Sequence, residues 1–304
     1  MSVLLMTVWL TGCVQEEFES TPSPAGNGIR FTLTVPDVNL PSVSSRTMTG
    51  TGTAKKEDEI KTVDILVFDM SKTPAVFLEW ASATGVTQDL ADNSTVSFSA
   101  VLSPTTASTC IVVVANKELD DIVSGFTKGV TTKVRAMEEM LHTQTGKWLA
   151  DGSTTDGYTR IPMYGEKVIS KITPSMDPIT GINMKRMLAR IDIRNNSVTS
   201  NFTVEEVYLA NYNTTGYIAP AWNTNGQVTE PAPDTPVLPT DSGKMTEEGN
   251  AILYSVNGNT PYDGEIYTFE SLAAGDAGGV GQDGEASRKD ATCLIVKGLS
   301  LIHI

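Results

Sequence analysis

Gly28-Ile29-Arg30-Phe31-Thr32-Leu33-Thr34-Val35 is the stretch that decides the fold. Ile29, Phe31, Leu33 and Val35 fall on one side of an extended chain. Arg30, Thr32 and Thr34 fall on the other, which is the period-two alternation of a half-buried β-strand. At about 3.3 Å per residue such a strand covers roughly 23 Å. The alternation recurs in Val96, Phe98, Ala100 and Leu102, in Met187, Ala189, Ile191 and Ile193, and over Phe202–Tyr212. Ile60–Phe68 and Thr109–Ala115 become apolar on both faces, which predicts strands in the middle of a sheet. Shorter strands are expected over Asn250–Val256, Glu265–Glu270 and Thr292–Val296. Only Val130, Val134, Met137 and Leu141 recur at helical steps, with Lys133, Glu138 and Glu139 on the outer side. The chain is expected to be mainly β, with one or two short helices.

Upstream of the first strand, Val3–Leu10 is a short, uncharged, mostly apolar run. It falls well below the roughly 20 residues of a membrane span and has the length of a signal-peptide core. Leu10-Thr11-Gly12-Cys13 follows, the pattern of a bacterial lipobox, in which Cys13 takes a diacylglycerol and the chain is cut before it. No Lys or Arg precedes the apolar run. Either the start lies inside a longer signal peptide, or the run is a short buried N-terminus. Residues 14–28, with Glu16, Glu17, Glu19, Pro22, Pro24, Gly26 and Gly28, read as a polar, flexible tether.

Downstream, Pro41-Ser-Val-Ser-Ser-Arg46-Thr47-Met-Thr-Gly50-Thr-Gly52 joins two predicted strands. A small-residue, glycine-containing segment of this kind is where proteases nick. An arginine-specific protease would find upstream of Arg46 only Arg30, inside the strand. If Ile29–Val35 fills a groove between other strands, its removal would bare unpaired backbone and a row of side-chain pockets. Such an edge is open to a strand from a neighbouring molecule. Four apolar side chains at ~1.5–3 kcal/mol each amount to roughly 6–12 kcal/mol before ordering costs.

The chain has 304 residues and a formal net charge of −14. That length suffices for two ordinary domains. The charge, with no basic run, argues against binding to nucleic acid or to an anionic membrane surface. Cys110 and Cys293 each sit in an apolar run and read as buried strand residues, with a disulfide between them as the alternative. The chemistry for catalysis is thin. His142, expected at the end of the helix where a cation suits the dipole, and His303 are the only imidazoles. No metal-binding cysteine pair or catalytic motif accompanies them, so no enzyme, cofactor or metal is expected. Asp151 and Asp156, and Asp276, Asp283 and Glu285 in or next to the glycine-rich stretch 275–284, lack the spacing of a calcium loop and read as solvated loop residues. Sequon matches at Asn93, Asn195, Asn201 and Asn213 carry little weight in a bacterial lipoprotein.

The predicted organisation is a signal peptide over residues 1–12, a tether over 13–28 and a removable strand segment over 29–46. A first β domain over 47–183 and a second over 184–304 follow. Residues 147–160 and the Pro-, Thr- and Asn-rich stretch 220–243 are expected to be irregular. The ending, Gly298-Leu-Ser-Leu-Ile-His-Ile304, suggests that the second domain is incomplete and that Ser300–Ile304 is not native sequence.

In order along the chain stand Cys13, the strand Gly28–Val35, Arg46, Ile60-Lys-Thr-Val-Asp-Ile-Leu-Val-Phe-Asp69 and Ile111-Val-Val-Val-Ala-Asn116. After them come Ile161-Pro-Met-Tyr-Gly-Glu166, Met184-Lys-Arg-Met-Leu-Ala-Arg-Ile-Asp192, Ile266-Tyr-Thr-Phe-Glu270 and Thr292-Cys-Leu-Ile-Val-Lys-Gly298. This ordered set resembles the type V pilins, the FimA-like fimbrillins, over residues 10–298. The resemblance implies two tandem transthyretin-like β-sandwich domains and export as an outer-membrane lipoprotein. It also implies cleavage between Arg46 and Thr47 by an arginine-specific protease, and polymerisation with other copies or related fimbrial subunits by donor-strand exchange. The implied location is the outer membrane first and the extracellular fimbria afterwards. The family pattern continues past the strand that matches Cys293–Val296, so the donor strand is not assigned here.

The rival reading is a surface lipoprotein that does not polymerise, namely a tip adhesin, an anchor or a glycan binder. It rests on the long 220–243 excursion and on loop aromatics such as Trp80, Trp148 and Trp222, which could stack on sugar rings, although aromatics in such places also serve as core.

Overall fold

The computed structural model describes residues 28–35, 58–88, 95–148, 159–191, 193, 202–230, 236–245, 248–255, 266–271 and 291–300. These are mainly β, as the alternation predicts. Two sheets face one another. The first holds β1 (Ile29–Thr34), β4 (Thr84–Gln88), β5 (Thr95–Ala100) and β9 (Ile179–Asn183), in the order β4-β5-β1-β9. The second holds β2 (Val63–Asp69), β3 (Val76–Ser82), β6 (Thr109–Ala115), β8 (Met163–Ile169) and β10 (Lys185–Arg186), in the order β10-β8-β6-β2-β3.

Period-two geometry splits each central strand between two cores. Val63, Ile65 and Val67 of β2 and Ile111, Val113 and Ala115 of β6 meet the first sheet. Leu66 and Phe68 of β2 and Cys110, Val112 and Val114 of β6 point the other way. Every residue of β6 is buried, which is why its sequence is apolar throughout. The sheets close at one corner, where β9 leads through Met184 into β10. A Cβ on Gly165 of β8 would stand 2.7 Å from Met184 Sδ and 2.8 Å from Ile182 Cγ2, so glycine is what permits the approach.

The outer face of the five-stranded sheet carries a second layer. It contains α1 (Asp120–Val123), α2 (Lys133–Glu139), and the ribbon of β7 (Leu141–Thr143) with β13 (Thr215–Tyr217). Trp148, Ile218, Ala219, Tyr267 and Phe269 enter the same core. Asn183, near which the boundary is expected, is the last residue of β9, and residues from both sides of it share that core. A further group comprises β11 (Ala189–Ile191) paired with β15 (Ile266–Thr268). Beside it β12 (Phe202–Ala210) stands between β14 (Ile252–Ser255) and β16 (Cys293–Ser300). Val207, Leu209, Tyr212, Ile252, Tyr254 and Ile266 form its core.

Several expectations are corrected. The helix spans only Lys133–Glu139, capped by the Thr132 hydroxyl, which accepts from Arg135 N at 3.2 Å. Val130 lies outside it and is exposed, and Leu141 belongs to a strand. Lys133 is 1% exposed rather than outward, because its apolar stem packs in the core and its ammonium meets Glu166. Cys293 is exposed, since among the described residues β16 pairs only with β12 and Cys293 lies on the outward side with Ile295. Both described cysteines are free thiols. The continuous strand expected over 187–193 is broken, because consecutive Met187 and Leu188 are both buried where the chain turns between β10 and β11. The described part of 220–243 is irregular, as expected, with one bridge between Trp222 and Val228.

Candidate assembly site

The four predicted strand residues come together on one face. Ile29, Phe31, Leu33 and Val35 are 4%, 1%, 0% and 1% exposed, while Arg30 and Thr34 face solvent. β1 is interior to its sheet. It pairs antiparallel with β5 over six consecutive positions, from Ile29 opposite Ala100 to Thr34 opposite Thr95. On its other side it pairs parallel with β9 at Phe31–Ile179, Leu33–Ile182 and Thr34–Asn183. Met184 N donates to Thr34 O at 2.9 Å, which closes the end of the slot. Within it, the rings of Phe31 and Phe98 are stacked with centroids 4.9 Å apart and planes 6° apart.

The chain re-enters the described body at Asp58, where it is pinned on several sides. Gln88 of β4 grips it twice: its Oε1 accepts from Ile60 N at 3.0 Å, and its Nε2 donates to Asp58 O at 2.6 Å. Asn116, with φ of +60°, accepts from Lys61 N at 3.0 Å. Its amide donates to Glu59 O and Ile161 O at 2.8 and 3.0 Å. Arg160 pairs with Glu59 at 2.8 Å, and Arg186 pairs with Asp58. Cys13, Arg46 and Thr47 lie outside the described residues.

The remaining polar groups do structural work. Glu166 accepts from Lys133 Nζ at 2.6 Å and from the Tyr164 hydroxyl at 2.5 Å. Burial first, and then the Glu166 charge, hold the Tyr164 hydroxyl well above the usual phenol range. Burial likewise pushes the Cys110 thiol up to about 12, so it is inert as a nucleophile. His142 sits in β7, not at a helix end. Burial, aided by Lys117, lowers its pKa to about 4, so it is neutral and cannot act as a helix-end cation. Its ring lies 5.0 Å from that of Trp148. Asn213 is buried and donates to Glu270 O at 2.7 Å, which removes it as a sugar acceptor. Asp151, Asp156, Asp276, Asp283 and Glu285 lie outside the described residues. Among the described residues no group of acidic, histidine or cysteine side chains could hold a metal.

The sequence missed the partners of the slot. Val96, Phe98 and Ala100 are read correctly as a strand, but no local signal says that this strand neighbours β1. Ile179-Thr-Gly-Ile-Asn183 is too short and too broken by Gly181 to announce β9.

No curated protein matches the chain. Among solved structures, a fimbrial assembly protein from Parabacteroides distasonis is similar at 11% identity, with 90% of this chain and 83% of that chain covered and a TM-score of 0.41. A candidate cell adhesion protein from the same organism is similar at 16% identity, covering 83% and 73%, with a TM-score of 0.45. A candidate adhesin from Bacteroides ovatus is similar at 14% identity, covering 82% and 70%, with a TM-score of 0.37. Residues 29–255 match the family model of the major fimbrial subunit protein, FimA, well over half of the chain. Matched from the first residue of β1 to the last of β14, this chain belongs to the FimA major fimbrial subunit family, whose members are structural, non-enzymatic components of cell-surface fimbriae.

Proposed function

We propose that this chain is a polymerising fimbrial subunit, exported as a lipoprotein on Cys13, cut between Arg46 and Thr47, and assembled by donor-strand exchange at the place of β1. The observation that carries the reading is the position of β1. It is the first described strand, yet it lies between β5 and β9 with four apolar side chains buried. A strand at the start of the body can leave without drawing a loop through the fold. Its departure leaves unpaired backbone on both neighbours and an apolar slot, which a strand from a sister subunit fills with main-chain hydrogen bonds and alternate side chains. The contact is head to tail and does not close, so it propagates as a filament.

The partners in this reading are other copies or related fimbrial subunits, an arginine-specific protease, and the outer membrane through the lipid. In this reading the trimmed subunit begins at residue 47; residues 184–304 supply a second β unit and, through β10 and the shared outer core, part of the first. The glycan-binding alternative gains nothing from the tryptophans, since Trp80, Trp148 and Trp222 all pack on the core outside the five-stranded sheet. Treatment with an arginine-specific protease tests the proposal. It predicts a new N-terminus at Thr47, loss of residues 29–46, and ladders in unboiled gels. Fibres that still contain residues 29–46 would overturn it.

A further inference from the structure

The slot of β1 carries a sequence demand of its own, on the reading that β1 leaves. β5 offers its occupant six consecutive antiparallel pairs. β9 offers a broken parallel ladder, in which two steps along β1, from Phe31 to Leu33, meet three along β9, from Ile179 to Ile182. The break contains Gly181, at φ of +71°. A regular ladder fixes register and direction, whereas an interrupted one yields to it. β5 is therefore the template, and an occupant runs antiparallel to it.

Three core-facing residues of β5 define the places along this template. Val96 lies opposite Leu33, Phe98 opposite Phe31, and Ala100 opposite Ile29. The outer places face Thr95, Ser97 and Ser99, which carry hydroxyls and no charge. The Ala100 place is lined by a small side chain and the Val96 place is aliphatic. The middle place differs, because Phe98 presents a flat ring face that Phe31 meets nearly in parallel. An offset stacked pair gains more than the area it buries, and an aliphatic side chain cannot reproduce that gain.

We infer that the slot selects, from a second fimbrial subunit, an extended segment of the pattern aliphatic–polar–aromatic–polar–aliphatic, with its ring set against Phe98. Selectivity then resides in one aromatic place rather than in the length of the groove.

The full chain, cut with an arginine-specific protease, tests this, with residues 29–46 followed by mass spectrometry. A fluorescent peptide of sequence Gly28–Val35 is titrated into the cut protein, alongside Phe31→Leu and Phe31→Ala peptides and one with apolar and polar places exchanged. The Phe31→Leu peptide is expected to bind about three- to tenfold more weakly. The Phe31→Ala peptide is expected to bind roughly a few hundredfold more weakly, and the exchanged peptide not at all. In a Phe98→Leu protein the gap between the Phe and Leu peptides should shrink to about twofold. The peptide variants leave the protein untouched, so misfolding cannot imitate the result. Retention of residues 29–46 by the cut body removes both strand exchange and this inference. If they leave but the Leu peptide binds as well as the Phe peptide, or no peptide binds, strand exchange stands and the aromatic place is refuted.

Discussion

The five-stranded sheet β10-β8-β6-β2-β3 is covered on both faces, and the two covers differ in kind. The inner cover, β4-β5-β1-β9, meets it through aliphatic side chains and the Phe31–Phe98 stack, and its strands are joined by main-chain ladders. The outer cover is also largely apolar, but it contains an ionic hub in which the half-buried Glu166 receives the buried Lys133 and Tyr164. Apolar burial has no direction and scales with area, and a ladder accepts any strand of suitable alternation. Such a cover can be made again by another chain. The buried Lys133 ammonium tolerates no approximate substitute for its partner, because without Glu166 its charge is left out of water. On the proposed reading of strand exchange, the cover that leaves lies on one face of the sheet and the cover that stays lies on the other.

The sharpest way to break this contrast is Glu166→Ala. It strands the Lys133 ammonium, 1% exposed, and takes away the acceptor of Tyr164. The expected loss is about 3–5 kcal/mol, read as a fall in urea midpoint, and equal before and after cleavage by an arginine-specific protease. The double variant Lys133→Met with Glu166→Leu should recover most of it. A single-variant loss of less than about 1 kcal/mol would mean that the hub does not latch the outer cover.

Phe31→Ala probes the other face. In the intact chain it empties a buried aromatic site and should cost about 3–5 kcal/mol. In fibres built from cut subunits it should cost nothing, since the residue is gone. Thermal dissociation of fibres from variant and native precursors makes the comparison. A variant whose fibres are also weaker would place β1 permanently in the assembly.

Asn116→Ala tests the pinned entry to β2. It deletes three side-chain hydrogen bonds from a residue at positive φ, at about 1–3 kcal/mol. With β1 present, the entry is braced by the complete sheet. Once β1 has gone, the same contacts carry more of the burden, so the loss should be larger in the cut protein. Asn116→Gly keeps the backbone conformation easy and isolates the side-chain contribution. Equal losses in cut and uncut forms would show that the pin and the strand act independently.

Much of the inner cover is readable in the sequence, because burial on one face or two writes a period into the chain. β1, β2, β5 and β6 announce themselves in this way. What the period cannot write is adjacency. The parallel pairing of β1 with β9 joins residues far apart in sequence, and β9 itself carries only Ile179 and Ile182 around a glycine. β4 is polar and largely exposed, and so resembles a loop. The outer cover is less legible still. Lys133 reads as a solvated residue until Glu166 is brought to it, and His142 reads as a helix-end cation until the helix stops at Glu139. The proposed lipid and cleavage residues, Cys13 and Arg46, lie outside the described residues and are read from the sequence.

Acid offers the mildest test of the same contrast, because it loads a proton on one cover only. His142 belongs to the outer cover, and burial holds its folded pKa at about 4 against an unfolded value near 6.5. The depressed value means that the unfolded chain binds the proton more readily. The stability this neutral ring contributes is therefore complete above about pH 6.5 and is lost as pH falls toward 4. After allowance for solvent screening the loss is about 1–2 kcal/mol. Carboxylates elsewhere add a background, so the informative quantity is the difference between native and His142→Gln melting temperatures from pH 7 to 4. That difference should narrow on acidification, because the variant lacks the penalty. β1 turns no titratable side chain into the core, since Arg30 points outward, so binding of the Gly28–Val35 peptide to the cut protein should change little over the same range. Were acid to weaken the peptide contact as much as the outer layer, the two covers would be coupled through the sheet between them, and exchange on one face would be felt on the other.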